Sequence, residues 1–438
     1  MNSENNDGQD PNGKPKQKLG GRYAHYVLFV LVIVYVFNFI DRNILSILNE
    51  EIQADLGVSD ADMGLLYGTV FAVFYSVFGI PLARFADVWV RRSLISIGLM
   101  FWSAMTAMSG FARSFSMLAI FRVGVGIGEA SASPAAYSML ADYYPQRLRA
   151  TVIAIYSSGV YIGGGIGLFL GGFIMETWNS TFPDPVLAPL GLKGWQAAFL
   201  AVGIPGILMA IWVRTLKEPV RGVSEGIVTQ QHPNPVGVLL TESAAMIPIL
   251  NLVGLARVGA SIPLNLLGAA IIGAIAWLLI YLTGSVVQWI ALGIGIYVVF
   301  CWVQSLKARD PVTYEMIFKS KAMVYTMLAF PTISFVTYGV GFWTAPLLLR
   351  LHETSATEVG MYIGLGSAIG GLLGVTLGGY FGDKFKDKHP AGRLAIGYIA
   401  VFGTVPLVLW MIYTDSLMWA FALNLLHHLF SACWRGTV

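Results

Sequence analysis

The stretch FRVGVGIGEASASPAAY, from Phe121 to Tyr137, is apolar enough to cross a bilayer and yet contains Arg122 and Glu129. A charged residue near the centre of a membrane helix costs roughly 2.5 to 3.5 kcal/mol on insertion scales, so each one needs a partner, a water-filled cavity or a function. The two positions are seven apart, which places both charges on one helix face, about 10 Å from each other. Small residues around them would admit a neighbouring backbone: Gly124, Gly126, Gly128, Ala130 and Ser131. The stretch therefore predicts a closely packed helix with a charged inner face.

The composition is typical of a polytopic membrane protein. Hydrophobic residues make up 56% of the 438 residues and charged residues 12%, with 49 glycines, far from the average of a soluble domain. Both cysteines, Cys301 and Cys433, lie in apolar segments, which argues against a disulfide framework. The sequence contains no HExxH or GxSxG motif and no cluster of histidines with acidic residues. We therefore expect no enzymatic activity, cofactor, metal or nucleic-acid partner.

Twelve apolar runs are long enough to span a bilayer, at about 20 residues each. Six precede a polar linker, two follow that linker, and four come after a second, charged linker. They lie near residues 24–48, 63–86, 93–112, 116–140, 150–176, 195–216, 263–282, 285–306, 322–348, 358–382, 392–413 and 416–435. The segment 244–260 is also apolar but carries Arg257, which favours an interfacial position. Residues 1–21 are polar and predict a disordered cytoplasmic tail.

Basic residues predict the orientation of the chain. Most of those in the first half lie on the side of the N-terminus, whereas the first loop on the other side is acidic, with Glu50, Glu51, Asp55, Asp60 and Asp62. Cytoplasmic loops carry the excess of Lys and Arg. We therefore expect the N-terminus in the cytoplasm and the protein in a bacterial plasma (inner) membrane.

An internal repeat organises the chain. At a constant offset of 296 positions, Gly64, Gly68 and Asp87 match Gly360, Gly364 and Asp383 without a gap. The repeat predicts an N-terminal six-helix bundle over 22–217, a cytoplasmic linker with an inserted helix pair over 218–318, and a C-terminal bundle over 319–438. Since the same offset places Val438 opposite Asp142, we expect the natural chain to continue for two more helices. The alternative is that the repeat is accidental and the twelve runs are simply twelve helices.

Two six-helix halves in parallel repeat, joined by a cytoplasmic linker, resemble the major facilitator superfamily. Its loop motif between helices two and three is similar to the segment from Ala83 to Arg92, with Ala83 and Val88 as departures, and its helix-five pattern is similar to residues 163–172, with Leu168 as a departure. Within the superfamily, the chain resembles the spinster family of lipid transporters in the following residues: FNFIDR (Phe37 to Arg42), RVGVGIGEASASPAA (Arg122 to Ala136), Asp142 and Arg149. The resemblance implies an all-α polytopic protein of two pseudo-symmetric bundles that exports sphingolipids or lysophospholipids, coupled to protons.

The charged residues of helices one and four predict a coupling site. At 1.5 Å per residue, Asp41 and Arg122 both lie about 22 Å from the inner edge of the membrane core, and Glu129 lies about 12 Å from it. We expect Asp41 to pair with Arg122, and Glu129, without a clear partner, to carry a proton, so that Asp41, Glu129 and Arg122 couple transport to protons. Alternatively, Arg122 is structural and bonds helix carbonyls.

A substrate site is predicted at the same level. Asp41 and Arg42 are about 100° apart on a helix and cannot both face one partner, so Arg42 either binds a headgroup or extends outward to the membrane surface. At the repeat offset Asp41, Arg122 and Glu129 become Thr337, Met418 and Leu425, so the facing wall is uncharged and aromatic. The predicted substrate contacts are Arg42, Asn38, Arg122, Glu129, Tyr338 and Trp343.

A charged cluster at the cytoplasmic side predicts a conformational gate formed by Asp87, Arg91, Arg92, Arg149 and Asp142. Its alternative interpretation is a basic loop that only sets topology. The sequence as a whole predicts a monomeric, proton-coupled secondary transporter of lipids that works by alternating access. The alternative function is proton-coupled export of amphipathic drugs or small organic anions.

Overall fold

A computed structural model describes residues 19–226, 232–247, 250–389 and 391–436. Most of the predicted N-terminal tail, residues 1–18, lies outside the described residues. The described ranges consist of helices and short connections, with no strand in them. Eleven helical segments of this part of the chain are long and apolar enough to cross a membrane. The protein is therefore a multi-pass integral membrane protein with an all-α fold.

The first part of the chain forms a closed helical bundle. It contains α1 (Arg22–Ile47), α2 (Asn49–Leu56), α3 (Asp60–Gly64), a π-helix (Leu65–Val70), α4 (Phe71–Val88), α5 (Arg91–Ser109), α6 (Phe115–Glu129), α7 (Ala132–Tyr143), α8 (Arg149–Ser157), α9 (Gly159–Thr181) and α10 (Gly194–Arg214). Within the bundle, α1 packs on α9, and α5 packs on α6 and α10. We call the side of the N-terminus the inner side and the opposite side the outer side.

The remaining helices form two groups along the chain, and we call the first of them the insert, after the predicted domain division. The insert contains α11 (Pro235–Ala244), α12 (Leu250–Arg257), α13 (Ile262–Thr283), α14 (Val286–Arg309) and α15 (Pro311–Phe318). The second group contains α16 (Lys321–Leu351), α17 (Ala356–Lys388), α18 (Gly392–Tyr413) and α19 (Leu417–Ala432). The short α12 lies in the segment for which the sequence favours an interfacial position.

The charged stretch from Phe121 to Tyr137 is not one continuous helix. Its first helix, α6, ends at Glu129, and α7 starts at Ala132. Pro134 has no N–H to donate to the carbonyl of Ala130, so the backbone cannot continue its helical hydrogen bonds through this point. The hydroxyl of Ser131 donates instead to the Gly128 carbonyl at 2.8 Å. The break places Glu129 at the carboxyl end of a helix.

Two contacts join residues that occupy equivalent positions in the internal repeat. Arg42 on α1 approaches Tyr338 on α16, and Ser46 on α1 donates to the main-chain oxygen of Phe342 on α16. Both pairs are separated by 296 positions, the offset of the repeat. Next to a two-fold axis, each residue lies close to its own symmetry equivalent. These contacts are therefore those expected where α1 and α16 meet at a pseudo-two-fold axis.

The outer sides of the two helix groups are in contact. The guanidinium of Arg350, at the end of α16, pairs with Glu50 at 2.7 Å and with Asp60 at 2.6 Å. The carboxylate of Glu176 on α9 accepts from the main-chain N–H groups of Ala356 and Thr357, which begin α17. One buried apolar cluster also contains residues of both groups here: Ile44, Leu66, Leu118, Phe342, Val359 and Leu423. The two helix groups are therefore held together on the outer side by ion pairs, hydrogen bonds and apolar packing.

Helix α9 packs closely through glycines on two of its faces. A methyl group added to Gly163 would lie 2.3 Å from the Val36 carbonyl oxygen of α1, and one added to Gly165 would lie 2.4 Å from the Gly364 carbonyl oxygen of α17. Only glycine permits backbones to approach this closely. The glycine-rich pattern at 163–172 therefore fixes how α9 connects α1 to α17.

Candidate functional site

Helix α1 supplies three neighbouring polar side chains to the interior of the protein. Asn38, Asp41 and Arg42 are 1%, 1% and 8% exposed, and on α6 Arg122 and Glu129 are 1% and 0% exposed. The five predicted charged and amide residues are thus buried at the interface of α1 and α6. Which of them pair is decided by the rotation of α1, because Asp41 and Arg42 point about 100° apart.

Arg42 and Glu129 form the ion pair of the site. The Arg42 Nε donates to Glu129 Oε2 at 2.6 Å. The predictions that Glu129 has no partner and that Arg42 could extend outward are both wrong, because Arg42 turns inward and neutralises Glu129. A buried pair of this kind is sensitive to the loss of either partner, since the remaining charge is left uncompensated.

Aromatic rings surround the Arg42 guanidinium. Its Cζ lies 5.0 Å from the ring centroid of Phe39, 4.6 Å from that of Phe71 and 4.8 Å from that of Tyr75. Cation–π contacts contribute about 0.5 to 2 kcal/mol, most where water is excluded. Sequence reasoning missed Phe71 and Tyr75, although their spacing of four on one predicted helix was a usable signal. The rings thus enclose the guanidinium on the side of α1 that faces Glu129.

Arg122 binds α1 in a way that the sequence did not predict. Its Nη1 donates to the main-chain oxygen of Asp41 at 2.9 Å, whereas the carboxylate of Asp41 accepts no hydrogen bond of normal geometry among the described residues. The expected side-chain pair of Asp41 with Arg122 is therefore wrong. The alternative interpretation, in which Arg122 bonds a helix carbonyl, describes the observed contact.

The Asp41 carboxylate faces α5 rather than the ion pair. The indole N–H of Trp102 and the hydroxyl of Thr106 lie beside it, but neither forms a hydrogen bond of normal geometry. Trp102 is fully buried and Thr106 is buried on the same face of α5. The two membrane carboxylates therefore have different surroundings: Glu129 has an arginine partner and Asp41 has neutral donors.

The second helix group contributes Tyr338 to the site. The Arg42 Nη1 lies 3.5 Å from the Tyr338 hydroxyl, the long limit of a hydrogen bond. Trp343 does not reach the charged residues: its ring contacts Phe342 and lies 3.7 Å from a methyl group built on Gly64. Of the two predicted aromatic contacts, the structure brings Tyr338 to Arg42 and places Trp343 on the outer wall.

The predicted gate residues are joined to the start of the linker. Arg91 is fully buried and pairs with Asp142 and with Glu218, the latter at 2.8 Å. Arg92 donates to the Leu216 carbonyl, and Arg149 pairs with Glu225 at 2.8 Å. Asp87 lies among the positive charges of three arginines: Arg84, Arg91 and Arg221. These described contacts join the first bundle to the start of the linker. They do not test a gating role, which stays a prediction.

The family follows from comparison of the whole chain with known proteins. A model of the Major Facilitator Superfamily matches residues 31–437. The chain belongs to the major facilitator superfamily. A solved structure of a bacterial homologue of the human lysosomal transporter Spinster, in an inward-facing and occupied conformation, is 27% identical to this superfamily member, with a TM-score of 0.63. The alignment covers 95% of this chain and 74% of that one. The predicted fold and the resemblance to the spinster family are confirmed.

Curated relatives of this superfamily member have several functions. The spinster protein of Drosophila melanogaster is 28% identical over 206 residues, which are 47% of this chain and 32% of that protein. An MFS-type efflux pump of Mycolicibacterium smegmatis is 32% identical over 192 residues, covering 44% and 41% of the two chains. A probable L-galactonate transporter of Escherichia coli is 29% identical over 185 residues, covering 42% and 37%. The matched regions thus span less than half the length of these relatives.

Proposed function

We propose that this superfamily member is a proton-coupled secondary active transporter of lipids, of the sphingolipid or lysophospholipid type, that works by alternating access. It acts as a monomer in a bacterial inner membrane, with its N-terminus in the cytoplasm. The observation that carries the proposal is the buried ion pair of Arg42 and Glu129, which lies where Tyr338 of the second bundle meets the first. A charge pair at this junction responds both to protons and to the arrangement of the two halves.

The coupling step is an exchange of partners at Arg42. A proton on Glu129 removes its charge and hence most of its attraction for the guanidinium. Arg42 is then available to the anionic phosphate of a lipid headgroup, with Asn38, Arg122 and Tyr338 beside it. Asp41, whose side chain points about 100° away from that of Arg42 and lies beside α5, provides a second protonation site whose state changes the packing of α1 on α5.

The lipid character of the substrate is supported by the unequal walls of the site. The first bundle contributes charges, whereas the positions of the second bundle that match Asp41, Arg122 and Glu129 in the repeat are Thr337, Met418 and Leu425. A molecule with a charged head and an apolar tail fits a site with one wall of each kind. The Drosophila spinster protein and the solved Spinster homologue support the resemblance to the spinster family, from which the lipid assignment comes.

Export of amphipathic drugs or small organic anions is the second candidate. It is favoured by the efflux pump and the galactonate transporter among the relatives and by the N–H groups of the Arg42 guanidinium that do not bind Glu129 and could bind an anion. A series of lysophospholipids of increasing chain length separates the two functions. Lipid transport predicts affinity that rises with each added methylene, whereas an organic-anion site predicts affinity that depends on the headgroup alone.

Spin-label distances test proton-driven alternating access. We place one pair on the outer side, at Leu187 and Leu351, and one on the inner side, at Leu148 and Leu394, all of them exposed. Between about pH 8 and about pH 5, one pair is expected to separate while the other closes, and Glu129→Gln is expected to abolish the response. If Glu129→Gln responds like the parent protein, Glu129 does not carry the coupling proton.

A glutamate outside the site provides the control for this experiment. Glu358, exposed near the start of α17, accepts a hydrogen bond from Thr354, and Glu358→Gln is expected to respond like the parent protein. The same labels test the inner cluster formed by Asp87, Arg91, Arg92, Asp142 and Arg149. In our proposal it stabilises the closed state of the inner side, so Arg92→Ala should favour the separated state of the inner pair.

A further inference from the structure

The insert is a hydrogen-bonded unit rather than two loosely attached helices. The Asn265 Nδ2 on α13 donates to Gln304 Oε1 on α14 at 2.7 Å, and the Tyr297 hydroxyl donates to Asn265 Oδ1 at 2.8 Å. Asn265 is fully buried. Polar side chains buried between membrane helices bind the helices to each other. The two helices of the insert therefore present one rigid surface.

The inner end of this unit is attached to the first bundle. Arg309, the last residue of α14, forms a two-pronged pair with Glu242 of α11, at 3.1 and 3.2 Å. From the same helix α11, Leu239 packs against the apolar core of the first bundle. The attachment joins α14 to the inner part of the bundle by way of α11.

The middle of the unit lies directly against α4. A methyl group built on Gly295 of α14 would lie 3.1 and 3.3 Å from the two methyl groups of Val73. Val73 stands between Phe71 and Tyr75 in the chain and, at 100° per residue, points away from both. One face of α4 therefore rests on the insert, while the opposite face carries the rings that surround Arg42.

We propose that the insert is a buttress for α4, which keeps the rings of Phe71 and Tyr75 on the Arg42 guanidinium. The need for a buttress arises from the π-helix Leu65–Val70, which directly precedes α4 and which α14 also contacts. A π-helix is rare and occurs mostly as a single turn within an α-helix. External support from α14 keeps this segment ordered. The proposal concerns the inserted helices and does not depend on the identity of the substrate or on proton coupling.

Two glycines of the insert provide a matched test. Gly295→Leu forces a side chain between α14 and α4, whereas Gly273→Leu on α13 meets no atom within 4 Å. We would measure amide hydrogen exchange of the full chain in detergent micelles by mass spectrometry. In Gly295→Leu, exchange is expected to rise roughly tenfold or more in residues 65–88 and to stay unchanged in α5 and α9. Gly273→Leu is expected to exchange like the parent protein.

The pattern of exchange decides the outcome. The proposal is overturned if Gly295→Leu accelerates exchange only within α13 and α14, if it leaves residues 65–88 unchanged, or if Gly273→Leu has the same effect. If Gly295→Leu does not fold, Gly295→Ala is measured instead, since its single methyl group also lies closer to Val73 than an ordinary contact. An equal rise in all helices of the first bundle shows general destabilisation and also contradicts a specific buttress.

Discussion

Replacing one partner of the Arg42–Glu129 ion pair should lower the free energy of unfolding more than replacing both partners. The side chains are 10% and 0% exposed, and the Nε–Oε2 distance is 2.6 Å. Glu129→Gln leaves the guanidinium buried among rings without a counter-charge, which costs roughly 3 to 5 kcal/mol. Arg42→Met combined with Glu129→Gln leaves no buried charge, and a thioether of similar length fills the ring-lined space. We expect the double variant to recover about 2 kcal/mol or more of the loss.

The assay is a double-mutant cycle on unfolding. The parent protein, both single variants and the double variant are unfolded in mixed micelles, and tryptophan fluorescence gives the free energy of unfolding of each. Asp41→Asn is the matched control, because Asp41 is equally buried on the same helix but has no ion pair; a neutral amide there should not lower stability. If the costs of the two single variants add up to that of the double variant, the two charges do not interact and our account of the site is refuted.

Three further predictions concern the ion pairs of Arg350, the glycine packing of α9 and the carboxylate of Glu51. Arg350→Ala removes two exposed ion pairs worth up to about 1 kcal/mol each, so the outer label pair should show roughly fivefold more of the separated state. Should its distances stay unchanged, these pairs do not hold the entrance closed. Gly165→Ala places a methyl group 2.4 Å from the Gly364 carbonyl oxygen, whereas the methyl group of Gly164→Ala meets nothing closer than 3.5 Å. Only Gly165→Ala should therefore lower the unfolding temperature. Equal effects of the two variants would contradict the close packing of α9. Burial raises the pKa of Glu51, although a hydrogen bond from Asn179 acts in the opposite direction. The free-energy cost of ionising Glu51 in the folded protein therefore grows as pH rises above the ordinary pKa of 4.5. Glu51→Gln should raise the unfolding temperature relative to the parent protein by more at about pH 7.5 than at about pH 4.5. The reverse order would exclude burial of the Glu51 carboxylate as the cause.

The membrane class, the repeat and the buried charges were all readable in the sequence. Spans of about 20 apolar residues follow from the thickness of a bilayer, and charges within such spans stand out because they are costly there. The offset of 296 was available from three matched residues, and it is also the separation of the contacting residues Arg42 and Tyr338. These properties depend on composition and on spacing along one helix, which a sequence contains directly.

The pairing of the charges was decided only by the tertiary structure. The sequence places Asp41 and Arg122 at one depth, but depth does not determine which face of α1 meets α6. That rotation is set by close packing elsewhere, such as the approach of Gly163 to the backbone of α1. It brings Arg42 rather than Asp41 to the acidic partner on α6. A sequence specifies the height and the face of a residue within its own helix, whereas the rotation of one helix against another arises from the sum of contacts between distant segments.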